Sequence, residues 1–180
     1  MQKLFSFFVA LLVVSLPPVA LGESNAPAFT LQTSAGESVS LAEVSTDKPV
    51  VLFFWATWCP YCKALMPHLQ SIKIEYGDAV DILAIQVFDD EPAQPVLDEA
   101  GYDFLLLVDG DDVAELYGVS GTPGVFVVDT DQRIRFNLND TPDIALPFDG
   151  ENAGHRKKAA YKAPWWAARL RKALDETISN

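Results

Sequence analysis

The 180-residue sequence holds only two cysteines, too few for a disulfide-stapled scaffold or a four-thiolate zinc centre. Basic residues are scarce as well. Thirteen Lys and Arg face 25 Asp and Glu, and a chain with a formal charge of −12 repels phosphate, which excludes nucleic acid as a general partner. Collagen, coiled-coil and repeat patterns are absent. What the chain does have is core material, with 49% hydrophobic and 11% aromatic residues. That suits one globular domain and excludes disorder.

The N-terminal apolar stretch, Leu4 to Leu16, is 13 residues long and broken only by Ser6 and Ser15. It follows Lys3, ends at Pro17-Pro18 and is too short for a comfortable membrane span. Ala20 and Gly22 place small residues at the −3 and −1 positions of a cut after Gly22. Residues 1–22 therefore read as a signal peptide, or as an anchor if uncut, and residues 23–180 as a single domain. Export predicts a periplasmic or other extracytoplasmic location, with a membrane tether if the segment is retained. A dithiol there oxidises unless something keeps it reduced, so the redox state of Cys59 and Cys62 is a functional question.

Residues 28–32 and 38–41 read as two short strands around Ser34-Ala35-Gly36-Glu37. Val50 to Trp55 is a continuous apolar run, expected to be a strand buried on both faces. A helix follows from Cys59 to about Tyr76, with Pro67 inside it. Further strands are expected at 81–88, 104–108, 125–128 and 133–138, and helices at 92–100 and 111–117. Strands alternating with helices and closing on a hairpin predict an α/β fold around a mixed sheet.

The chemistry concentrates in Trp55-Ala56-Thr57-Trp58-Cys59-Pro60-Tyr61-Cys62. A strand delivers Cys59 to a helix N-terminus, where backbone N–H groups and the helix dipole favour a thiolate, the nucleophilic form of cysteine. Cys62, one turn later, can reach the same sulfur. Pro60 fits the first turn because its missing N–H is not needed there.

This segment resembles the active site of the thioredoxin superfamily, and the motif order resembles its exported TlpA/ResA/DsbE-like thiol-disulfide oxidoreductases. Residues 27–31 with 39–43 resemble the N-terminal hairpin of that branch, and residues 81–117 its extra strand and helix. Gly118-Val119-Ser120-Gly121-Thr122-Pro123 resembles the loop that carries the superfamily's cis-proline. The resemblance spans about residues 26–138. It implies a thioredoxin fold with a central mixed β-sheet flanked by helices, a cis peptide bond at Pro123, and a Thr122 backbone that pairs with an incoming peptide. It also implies an apolar docking rim of Trp58, Pro60 and Tyr61.

One departure is Phe53, which stands six residues before Cys59 where many thioredoxins bury an acid. Asp89 stands where the branch often places its acid instead. There it is expected to have a raised pKa and to handle the proton of Cys62. Otherwise Asp89, Asp90 and Glu91 form an acidic run capping the next helix. His68, six residues beyond Cys62, fits a surface or helix-packing role.

From Asn139 to Ala163 the chain shows little periodicity, and Pro164 is expected to open a helix whose Trp166, Leu170, Ala173, Leu174 and Thr177 share one face. Residues 73–151 hold three basic and 19 acidic residues, whereas 155–172 hold seven basic and no acidic ones. That basic segment is a solvated face by default, and it could also pair with the acidic face or with anionic lipid.

The resemblance implies an oxidoreductase that exchanges the Cys59/Cys62 dithiol with client protein disulfides, as a reductant of the cytochrome c maturation or copper-site assembly type. Its electrons would come from a membrane donor. A monomer without a dissociable cofactor or resident metal is expected. A Cu(I) chaperone using both thiolates as soft ligands is the alternative, although no Met or His is spaced to complete its site.

Overall fold

In the computed structural model, which describes residues 24–150 and 152–179, strands form where β-branched and aromatic residues run together. β3 (Val50–Trp55) is buried at all six positions, which requires a central place in a sheet covered on both faces. It pairs in parallel with β4 (Asp81–Gln86) and antiparallel with β6 (Gly124–Val128). The sheet is completed by β5 (Leu105–Val108), the hairpin of β1 (Thr30–Thr33) and β2 (Ser38–Ser40), and β7 (Ile134–Asn137). Its order is β2-β1-β5-β4-β3-β6-β7, the mixed sheet that the alternating pattern predicts.

Alternation along β3 divides the core in two. Val51, Phe53 and Trp55 belong to the cluster closed by α2 (Pro60–Tyr76) and α5 (His155–Ile178). Leu97 of α3 (Gln94–Ala100) joins it. Val50, Leu52 and Phe54 belong to the opposite cluster, with Phe29, Tyr117, Leu41 of α1 (Leu41–Val44) and Val113 of α4 (Asp111–Leu116). The β1–β2 turn uses Gly36 at φ +83°, a conformation that disfavours side chains.

Most element boundaries shift by one or two residues from the sequence reading, and three of the departures have an evident physical cause. Leu41 opens α1 instead of ending β2, because Ser40 and Glu43 form a reciprocal capping box. β4 stops at Gln86, and Phe88 has φ +55°, which breaks an extended ladder. The last helix begins at His155 and contains Pro164. Ala163 and Ala167 are buried in the cluster shared with α2, and Ala159, four residues earlier, is fully buried as well. That packing offsets the roughly 3 kcal/mol that an interior proline costs. The expected signal segment, residues 1–22, lies outside the described residues. Among the described residues no helix is long and apolar enough to cross a membrane.

Candidate active site

Both cysteines enter at the join between β3 and α2. Cys59 is the N-cap of α2, with φ −76° and ψ 113°, and Pro60 occupies the first turn. The Cys62 backbone N–H donates to Cys59 Sγ at 3.2 Å, as it would to a capping oxygen. Cys59 Sγ also lies 3.5 Å from the carbonyl oxygen of Thr122. The Thr122–Pro123 peptide is cis, as the resemblance implies. Both thiols are free, with 1% of Cys59 and none of Cys62 exposed.

Their acidities are driven apart. The Cys59 pKa falls to about 6, first because the Cys62 thiol donates a hydrogen bond to it. Burial opposes that effect, and the Thr122 side chain and backbone N–H groups of Cys62 and Tyr61 reinforce it. Burial pushes Cys62 far up, and the bond it donates and the charge on Cys59 push it further. The buried Thr122 hydroxyl has no hydrogen-bond partner among the described residues, and its proximity favours the anion at both sulfurs. Phe53 is fully buried and stacked on Trp55 at 6.3 Å between ring centroids. The arrangement offers one thiolate and one retained proton a single helical turn apart.

Asp89 behaves differently from the sequence expectation. One carboxylate oxygen accepts the Thr57 N–H and the other accepts the Glu91 N–H at 3.1 Å. Burial pushes its pKa up, but these bonds, with a smaller contribution from the Lys63 charge, hold it below the usual carboxylate value. The expected raised pKa is therefore corrected, since two N–H donors stabilise the ionised form. The acidic run does not cap α3 either, whose N-cap is Ala93 without a side-chain bond. Asp89 instead ties the loop after β4 to the loop before Cys59.

Gln86 holds that first loop in shape and was not singled out by the sequence. Its side-chain amide donates to the carbonyls of Asp89 at 2.9 Å and Glu91 at 2.6 Å. The available signal was a polar residue inside the apolar run of residues 82–88. Gly110 approaches the same strand end, and a Cβ there would lie 2.3 Å from Ile85 Cγ2 and 2.9 Å from the Gln86 carbonyl oxygen.

Of the expected rim, Trp58 is exposed and donates from Nε1 to the Phe88 carbonyl at 3.0 Å. Pro60 is half-buried beside it. Tyr61 turns toward α5, with its hydroxyl 3.3 Å from His155 Nδ1 and its ring 6.0 Å from that of Trp166. Nothing local in the sequence signals a contact between residues so far apart along the chain. His68 is half-buried on α2, and burial and Arg171 lower its pKa, which agrees with helix packing.

Comparisons with known proteins bear on this geometry. Residues 23–137 match the AhpC/TSA family. The chain is similar to the thiol-disulfide oxidoreductase ResA of Halalkalibacterium halodurans, 30% identical over 147 residues, covering 71% of this chain and 83% of that one. It is also similar to the thiol:disulfide interchange protein DsbE of Yersinia pestis, 33% identical over 123 residues. That match covers 63% of this chain and 64% of DsbE, just under two thirds of its length. A crystal structure of a Sinorhizobium meliloti protein superposes with a TM-score of 0.67 at 23% identity, covering 91% of this chain and 86% of that one. A solution structure of a thiol:disulfide interchange protein from Bacteroides sp. gives a TM-score of 0.56 at 27% identity, with 62% and 77% covered.

Proposed function

We infer the activity from one premise: the chain belongs to the AhpC/TSA family and is a thioredoxin-like thiol-disulfide oxidoreductase related to ResA and DsbE. We propose that it is exported through residues 1–22 and, as a monomeric domain, reduces disulfides in client proteins. The observation that carries this reading is the split acidity of the pair, with Cys59 near 6 and Cys62 held protonated. The Cys59 thiolate attacks one sulfur of a client disulfide, a mixed disulfide forms and the other client sulfur leaves as a thiolate. Cys62 then gives up its proton and attacks Cys59, releasing the second client thiolate. Two electrons pass to the client, and the pair ends as a disulfide that a membrane donor would reduce again.

The lowered Cys59 pKa supplies a thiolate nucleophile near neutral pH, and the reducing direction is proposed from the likeness to the ResA and DsbE oxidoreductases. Trp58 and Pro60 would face the client, with the Thr122 backbone pairing to its strand beside Pro123 and Tyr61 anchoring the motif to α5. Asp89 is assigned a positioning role. Cytochrome c maturation or copper-site assembly is the setting in which such a reductant acts. The Cu(I) chaperone alternative is weakened because a soft two-thiolate site needs both sulfurs deprotonated, and burial opposes that at Cys62.

Trapping tests the reading. In Cys62→Ser protein the mixed disulfide forms but is not resolved, so envelope extracts should show covalent complexes on non-reducing gels that disappear with dithiothreitol and are absent in Cys59→Ser. No complexes, together with stoichiometric Cu(I) binding by the parent protein, would overturn it in favour of the chaperone.

A further inference from the structure

Two clefts of opposite charge open beside the redox centre. The first, of about 560 Å³, has Trp58 and Pro60 on one wall and His155 and Arg156 on the other, with Lys63 at its edge. Lys63 and Arg156 are exposed, and neither forms a salt bridge among the described residues, although the Lys63 charge also reaches Asp89. Gly154 caps α5 without a side-chain bond, so the positive end of that helix adds to the field. The second cleft, of about 480 Å³, runs from Phe88 past Asp112 and Glu115 to Ser120, two residues before Thr122. Asp111 on the same wall accepts the Phe88 N–H.

Between them stands an aromatic ridge. Trp58 is 59% exposed and Phe88 41%, and the indole–carbonyl bond at 3.0 Å joins them. In a chain with a formal charge of −12, a basic cleft adjoining the nucleophile is the exception to the surface at large. Opposite fields on the two sides of one contact ridge discriminate between the two directions in which a charged segment can lie.

We propose that the client segment crosses the Trp58–Phe88 ridge in one orientation, with an acidic side chain in the cleft between α2 and α5 and a basic side chain in the cleft beside α4. The substrate class is a disulfide-bearing polypeptide whose attacked cysteine is flanked by an acid on one side and a base on the other. This inference rests on the exchange reading above. It names the client chemistry, which the thiol step alone leaves open to any disulfide.

The probe is a set of short synthetic peptides with one cysteine capped as a mixed disulfide with 2-nitro-5-thiobenzoate, whose release is followed by absorbance. Three flanking patterns are compared: acid before and base after the cysteine, the reverse, and neutral. One charged order should react faster than its reverse by about tenfold at low salt, the product of about threefold at each exposed pair, and the gap should narrow as salt screens the charges. Lys63→Glu/Arg156→Glu should collapse the ratio between the two orders to about one, Asp112→Lys/Glu115→Lys should do so independently, and the two pairs of changes combined should invert it. Equal rates for the two orders, with the neutral peptide still consumed, would overturn this inference and leave the exchange reading standing. Release no faster than from Cys59→Ser for every peptide would overturn both.

Discussion

Cys59 owes its acidity to its partner before anything else, because the hydrogen bond from the Cys62 thiol is the largest cause of its lowered pKa. Removing that donor in Cys62→Ala should move the midpoint of Cys59 alkylation by iodoacetamide upward from about 6; an unchanged midpoint would reassign the effect to the backbone. The same shift links to stability. The unfolded thiol titrates at about 8.5, so the stabilisation is fully present above that pH and is lost as pH falls through about 6. Cys62 acts in the other direction, adding a cost above about pH 8.5, where the unfolded chain would ionise it. The stability advantage of the dithiol protein over Cys59→Ser should therefore grow between about pH 5.5 and 8 in urea titrations. Asp89, held below the usual carboxylate range, stays ionised over that span. Asp89→Asn should leave the shape of the pH–rate profile unchanged between about pH 5 and 9, and a lost inflection would restore it as an acid–base group.

The loop after β4 and the loop before α2 behave as one element, joined by the bonds from Thr57 to Asp89 and from Trp58 to Phe88 and braced by Gln86. Asp89→Ala should leave the half-buried Thr57 N–H unsatisfied and lower stability by roughly 1–3 kcal/mol in both redox states, measured by denaturant unfolding. α5 carries its own liability. Pro164 is exposed in the helix interior, so Pro164→Ala restores a helical N–H and should raise stability by about 1–3 kcal/mol. A fall in stability would mean that Pro164 shapes the packing of the flanking Trp165 and Trp166.

At the scale of the whole molecule, charge is segregated. Residues 73–151 hold 19 acidic and three basic residues, while the stretch 155–172 of α5 holds seven basic and no acidic ones. Several of these pair across elements, Lys162 with Asp143 at 2.7 Å and Arg171 with Glu75 at 2.7 Å. Exposed pairs of this kind contribute up to about 1 kcal/mol each, less than the repulsion they are set against in a chain of −12. Raising NaCl from low ionic strength to about 0.3 M should therefore raise the melting temperature. A fall would mean that the cross-element pairs outweigh the repulsion. Export is testable on the intact chain, since processing after Gly22 should leave Glu23 as the N-terminus by mass spectrometry.

The sequence by itself determined the parts whose physics is local. The apolar run of β3, the strand-to-helix placement of Cys59 and Pro60, the turn at Gly36 and the order of strands and helices all follow from residues adjacent in the chain. The AhpC/TSA match over residues 23–137 agrees with that reading. Only the tertiary structure decided what depends on partners distant along the chain. Asp89 became a loop clamp because the Thr57 N–H, 32 residues away, reaches it. Tyr61 turned from the rim because His155, 94 residues on, meets its hydroxyl. The start of α5 was hidden for the same reason: Pro164 is a stop signal in local terms, and only the burial of Ala159, and of Ala163 in the cluster shared with α2, overrides it.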